Sequence, residues 1–220
     1  MLKFSEEKVN QISKDHNISS EFAKTITDVV SDLKSKNINY RIIGGLAVGV
    51  HSVPRSTQDV DFYVSSKDIE KIKSMYPSYT ELDLDGKWDG VSANIDGIDI
   101  DFIYTDNSSK ELMKDNGTIA NELSFLSLAE LIYTKILASR LKDQNDIATL
   151  VQYYKGDSAE LEKEVAAKIK KYPVKHEREE YLETLNMAFI IGNMQKNKKS
   201  AKTEIKQVMR KMAAKYGSEF

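Results

Sequence analysis

Apolar positions along the first half of the chain recur at two periods, and the switches between them mark the elements. Phe22, Ile26, Val29, Val30 and Leu33 fall at helical spacing and predict a helix from about Ser20 to Lys36. Ser5 can cap an earlier helix, with Glu6 and Glu7 at its positive end and Val9 and Ile12 on one side. From Tyr40 the stretch YRIIGGLAVGVHSVPRSTQDVDFYV reads as strand, glycine turn, short helix just after the glycines, loop and strand. In its second strand Val60, Phe62 and Val64 alternate with Asp59 and Asp61, so the two acids share one face. Ser65 and Asp68 form a loose capping box for a helix through about Met75, which Pro77 ends. Strands follow at Tyr79–Leu84 and Trp88–Ile95, with Asp85-Gly86 and Asp96-Gly97 as hairpin turns. In Ile98–Tyr104, Ile98, Ile100 and Phe102 share one face and Asp99, Asp101 and Ile103 the other.

After a stretch without clear pattern, 108–126, the periodicity is helical throughout. Ser127-x-x-Glu130 is a capping box for a helix to about Leu141, with the stripe Leu128, Leu131, Ile132, Ala138 and Leu141. Lys135 falls inside that stripe, where spacing alone favours a snorkelling side chain. Ile147, Leu150, Val151 and Tyr154 mark the next helix, and Gly156 is a C-cap signal. Asp157-x-x-Glu160 opens another, and Pro173 separates it from a helix over about Lys175–Met194. The polar KNKKS linker then leads to a last helix at Ala201–Tyr216. The pattern predicts an α/β (α+β) protein with a mixed sheet flanked by helices. It divides into N-terminal helices packing on the core (1–37), the core itself (38–155) and a C-terminal helical region (156–220).

Composition narrows the chemistry. The chain has 220 residues, 40% hydrophobic and 30% charged, ample for a buried core. It has no cysteine, which excludes disulfides, thiolate metal sites and cysteine nucleophiles, and its three histidines are scattered. No apolar run is long enough to span a membrane and the first residues lack a signal-peptide core, so a cytoplasmic protein without a membrane partner is expected. The net charge of −2 is uneven: residues 195–220 carry eight Lys/Arg against two Glu. Such a stretch either meets an anionic partner or is a solvated helix face.

Asp59 and Asp61, side by side, repel unless a cation joins them, and a hard divalent ion such as Mg²⁺ is the natural partner. Gly44 and Gly45 permit a sharp turn and close approach to a ligand, and the helix after them offers free N–H groups to phosphate. Arg55 supplies positive charge nearby. A Gly-Gly pair alone is usually a turn and a lone Asp-x-Asp is more often solvated than metal-bound; the ordered combination is more specific.

That combination resembles the DNA polymerase β-type nucleotidyltransferase superfamily. Gly44-Gly45 matches its turn, and Asp59 and Asp61 its acid pair. With Ala47, His51, Arg55 and Thr57, the string resembles the bacterial branch that includes AbiEii-type toxins, and antibiotic nucleotidyltransferases have a similar string. The resemblance spans about residues 38–152. It implies a nucleotidyltransferase fold and transfer of a nucleoside monophosphate from a nucleoside triphosphate, with two Mg²⁺ ions, or Mn²⁺ in their place. It implies that Asp59 and Asp61 bind both metals and that a third carboxylate, Asp101 with Asp99 as alternate, binds one and takes the acceptor's proton. Gly44, Gly45, Arg55 and Thr57 would serve the nucleotide. Lys135 would lie near the phosphates, with Asp143 or Asp146 orienting it or capping the following helix.

The acceptor stays open between an RNA such as a tRNA end, a protein hydroxyl and a small hydroxyl compound. The toxin-like resemblance adds a cognate antitoxin as a partner. The basic 195–220 stretch favours RNA mildly. The region 53–126, with 15 acids against seven bases, would suit a cationic small molecule. Rival readings are a glycosyltransferase or haloacid-dehalogenase-type phosphatase, against which the Gly-Gly turn before the acids counts, and a catalytically inactive nucleotide-binding relative.

Overall fold

The computed structural model describes residues 4–84, 88–104 and 117–196. The chain divides into two compact units, 1–127 and 128–220. The boundary falls inside the 38–155 span that the sequence pattern groups as one core.

The first unit opens with α1 (Glu6–His16) and α2 (Ser20–Ser35). Ser5 and Ser19 cap them, accepting from the backbone N–H of Lys8 and Phe22 at 3.2 and 3.1 Å. The stripe expected on α2 is buried from Phe22 to Leu33. Then come β1 (Tyr40–Ile42), α3 (Gly44–His51), β2 (Asp59–Val64), a 3₁₀ turn (Ser66–Asp68) continued by α4 (Ile69–Met75), β3 (Thr80–Leu84), β4 (Trp88–Ile95), β5 (Ile98–Tyr104), β6 (Thr118–Ala120) and β7 (Leu123–Phe125). The seven strands form one mixed sheet in the order β3-β4-β5-β2-β1-β7-β6. β2 pairs antiparallel with β1 and parallel with β5, and β7 pairs parallel with β1.

Alternation sets what each face of β2 and β5 does. Val60, Phe62, Ile100 and Phe102 are fully buried. Phe62 and Phe102 stack at 5.6 Å, and Tyr76, just past α4, stacks on Phe102 at 5.6 Å. The Tyr76 hydroxyl donates to Asp32 on α2 at 3.3 Å, tying both helices to this apolar side. The acids take the opposite face.

Several local expectations change. α3 starts at Gly44 itself, not after the glycines. Ser65 makes no side-chain cap; Asp68 N–H bonds the Ser65 carbonyl at 2.9 Å, which closes a 3₁₀ turn before α4. Asp96 and Gly97 both have positive φ, 53° and 82°, as an Asp-Gly hairpin turn requires. The unpatterned stretch ends in a further hairpin, β6–β7, turned by Asn121 and Glu122 at φ 51° and 67°.

The second unit contains four helices among its described residues: α5 (Leu128–Ala138), α6 (Leu141–Tyr153), α7 (Ser158–Ile169) and α8 (Lys175–Lys196). α5 stops three residues before the expected Leu141, because Ser139 turns left-handed at φ 53° and Leu141 opens α6. Tyr154, not Gly156, is the C-cap of α6. Asp157 caps α7 by accepting from Ala159 N–H at 2.8 Å. α6 and α8 approach closely where Gly192 faces Ala148 and Val151: a β-carbon on Gly192 would stand 2.6 Å from the Ala148 carbonyl oxygen. The Asp85-Gly86 turn, residues 108–116, all of KNKKS beyond Lys196 and the expected 201–216 helix lie outside the described residues.

Candidate active site

The register of the central strands builds the acid face. Asp59 lies opposite Asp99 and Asp61 opposite Asp101 in the parallel β2–β5 pair. Directly opposed residues project to the same side with β-carbons about 5 Å apart, so all four carboxylates share one patch. On the next strand Asn94 opposes Asp99 and Ser92 opposes Asp101. Asn94 Nδ2 donates to Asp99 Oδ1 at 2.7 Å.

The glycine turn lies against these acids. Ile43 N–H donates to the Asp61 carbonyl at 2.9 Å, which ties the turn to β2. Gly44 has φ +64°, and a β-carbon there would fall on Oδ2 of Asp61. Only glycine allows both this backbone and this proximity. A β-carbon on Gly45 would stand 2.9 Å from Thr57 Oγ1 and 3.5 Å from Arg55 Nη2. Thr57 Oγ1 in turn donates to Asp59 Oδ1 at 2.9 Å. Gly44, Gly45, Arg55, Thr57, Asp59, Asp61 and Asp101 are thus neighbours, linked through the turn, the loop and two strands. The α3 N–H groups beside the glycines have the character of a phosphate site.

Electrostatics separates the acids. Burial raises the Asp101 carboxyl above its ordinary value; the nearby Ser92 hydroxyl works against this, and the negative charges of Asp59 and Asp99 add to the rise. Asp99 is exposed and occupied by Asn94. A cation would relieve the repulsion at Asp101. The donors on offer, carboxylate oxygens on one face, suit Mg²⁺ by chemistry. Among the described residues, however, no three His, Asp or Glu side chains are already gathered around a metal position. The acids form an open row, and holding an ion requires them to turn toward it.

Lys135, Asp143 and Asp146 belong to the second unit. Lys135 does not snorkel: it is 7% exposed, and its Nζ donates to Asp143 Oδ1 at 3.0 Å and Asp146 Oδ2 at 2.7 Å. Arg140 Nε also donates to Asp143, at 2.7 Å. Burial works to raise the Asp143 carboxyl, but the bonds and charges of Arg140 and Lys135 outweigh it and hold it below its ordinary value. Both acids at this motif engage the lysine.

Ser92 and Asn94 were not singled out in the sequence. Their signal is the alternation Gly90, Ser92, Asn94 along β4, which gains meaning only once the strand is set beside β5.

A Gly-Gly turn packed on an Asp-x-Asp strand, within a mixed sheet flanked by helices, defines an α/β protein of the nucleotidyltransferase class. A family profile described as "Nucleotidyltransferase of unknown function (DUF6036)" matches residues 21–196, and the chain belongs to that family. No curated protein matches the chain. Among solved structures it is similar to an antigenic nucleotidyltransferase-like protein from Paracoccidioides brasiliensis, at 19% identity and TM-score 0.40, covering 83% of this chain and 94% of that one. It is also similar to the antibiotic-resistance factor ANT(2″)-Ia, at 9% identity and TM-score 0.41, covering 93% of this chain and 99% of that one. No helix among the described residues is long and apolar enough to cross a membrane.

Proposed function

We propose that the protein is a Mg²⁺-dependent nucleotidyltransferase that moves a nucleoside monophosphate from a nucleoside triphosphate to a hydroxyl acceptor. The observation that carries this reading is the β2–β5 register, which sets Asp61 opposite Asp101 beside the Gly44–Gly45 turn. Asp59, Asp61 and Asp101 would hold the metal. When bound, Mg²⁺ supplies positive charge to the attacking and leaving oxygens of an in-line displacement at the α-phosphorus. Gly44 and Gly45 let the triphosphate approach the backbone N–H groups at the start of α3. Arg55, exposed near Gly45, adds charge for the phosphates. Asp101 is preferred to Asp99 as the third carboxylate, since it lies half-buried opposite Asp61 whereas Asp99 is exposed. Thr57 steadies Asp59. For Lys135, burial between Asp143 and Asp146 supports a positioning role within the helical unit over an open phosphate contact.

For the acceptor we favour RNA. The AbiEii-type resemblance and the eight Lys/Arg against two Glu between residues 195 and 220 support it. A cytoplasmic setting and a cognate antitoxin accompany that reading. The test is transfer of label from each α-³²P nucleoside triphosphate, with Mg²⁺, into total RNA, total protein and small-molecule fractions. The expected result is label in RNA that is lost in an Asp59→Asn/Asp61→Asn variant. Label in small molecules would replace the RNA reading with an antibiotic-type one. No label in any fraction, together with no Mg²⁺-dependent nucleotide binding, would make the protein an inactive relative.

A further inference from the structure

α3 is eight residues long, too short to hold its own shape in water, and its N-cap residue Ile43 makes no side-chain bond to the first turn. What fixes the helix comes from outside it. At its start, Ile43 N–H donates to the Asp61 carbonyl at 2.9 Å. At its far end, His51 Nε2 lies 2.8 Å from the carbonyl of Leu126, 75 residues away in sequence. A carbonyl oxygen only accepts, so Nε2 carries the proton and donates. Leu126 is fully buried just past β7, and its own N–H donates to the Ile42 carbonyl at 3.2 Å. One residue therefore grips both the strand just ahead of the glycine turn and the last residue of α3.

The loop that carries Arg55 and Thr57 lies along the same helix. Gly45 and Gly49 are four apart and share a face of α3. A β-carbon on Gly45 would stand 2.9 Å from Thr57 Oγ1, and one on Gly49 would stand 3.6 Å from Arg55 N and 3.7 Å from Pro54 Cα. Any tilt of α3 thus moves the loop as well as the turn.

We propose that His51 is a positioning residue for the nucleotide: by holding the far end of α3 to Leu126, it sets the direction in which the Gly44–Gly45 turn presents its N–H groups and the place of the Arg55–Thr57 loop above it. This deepens the nucleotidyltransferase reading and rests on it. The single bond at Ile43 leaves the helix free to tilt about its start. The His51 bond lies about 12 Å further along, where it has the longest lever against that tilt. Displacements near 1 Å at groups that position a substrate are enough to cost much of an enzyme's rate.

The test compares the full-length parent with His51→Leu, which removes the donor, and His51→Gln, whose side-chain amide keeps an N–H at the same reach. Hydrogen exchange of the α3 amides is followed without nucleotide, with β2 and β5 as the internal reference. Binding of the four α,β-methylene nucleoside triphosphates is measured with Mg²⁺. In His51→Leu, exchange in α3 should quicken about 10-fold and binding should weaken about 10-fold, the loss of one hydrogen bond's restraint, while β2 and β5 exchange at parental rates. His51→Gln should restore most of both. Parental exchange in α3, or parental binding, in His51→Leu would overturn the proposal. So would exchange that quickens equally in β2 and β5 with no recovery in His51→Gln, which marks a histidine that serves stability alone. A parent that binds none of the four nucleotides removes the nucleotidyltransferase reading and this role with it, a result seen without any His51 variant.

Discussion

At the scale of single residues, the two glycines with the clearest positive φ have opposite surroundings. Gly44 and Gly97 lie at φ +64° and +82°, so alanine at either is strained by about 1–2 kcal/mol. Only at Gly44 would the new β-carbon meet a side chain of the proposed site, Oδ2 of Asp61; at Gly97 nothing lies within 4 Å. Gly44→Ala should therefore lose both stability and label transfer, while Gly97→Ala should lose stability alone. Chemical denaturation run beside the α-³²P assay separates the two, and full transfer in Gly44→Ala would remove the turn from the site. At this scale the sequence was informative wherever a residue's meaning is local. Asp59 and Asp61 could be placed on one face from alternation alone. Ser92 could not, since a serine on a polar strand face acquires a partner only through register.

Among elements, the helical unit depends on a buried charge cluster and a close crossing. Lys135→Met would remove the buried cation that Asp143 and Asp146 share. We expect a loss of about 3–5 kcal/mol in urea unfolding, much of it recovered when Asp143→Asn and Asp146→Asn are added. At the α6–α8 crossing, Gly192→Ala puts a methyl 2.6 Å from both the Ala148 carbonyl oxygen and Val151 Cβ. Overpacking of this kind costs about 1–3 kcal/mol, and an unchanged unfolding midpoint would show that the helices can part. Boundaries show where local signals fail. Asp96-Gly97 announces its turn. Asn121-Glu122 also makes one with positive φ at both positions, but glutamate is a poor emblem of a left-handed backbone, so β6 and β7 were not foreseen. Ser139 hides the end of α5 in the same way, since serine rarely takes that conformation and the apolar stripe runs on past it.

For the whole molecule, acid sensitivity follows from two histidines, His16 buried and His51 half-buried. Burial lowers the pKa of His16 and of His51 from 6.5, and for His51 the bond between Nε2 and the Leu126 carbonyl, 2.8 Å long, only partly opposes this. His16 packs on Phe125, with Nε2 lacking a hydrogen-bond partner among the described residues. Between the folded pKa values and 6.5 the unfolded chain binds more protons than the folded one, so stability rises with pH there. Their contribution is complete above 6.5 and is lost as pH falls toward the folded values. Unfolding free energies measured from pH 8 to pH 5 should decline below about 6.5, and a His16→Phe/His51→Gln variant should flatten that decline. Fold class was legible at this scale because the period switches are long and strong; strand order was not, since neighbours such as β5 and β2 are distant in sequence. That order has a temporal side. On the ribosome Asp59 and Asp61 emerge first, and the chain must still make α4, β3 and β4 before Asp101 exists at all. Any product that terminates before Ile98 keeps the first two acids but has no β5 to lay along β2. Interrupted synthesis therefore yields fragments that lack the Asp61–Asp101 pairing, and the proposed acid face is completed in a single step when β5 docks on β2.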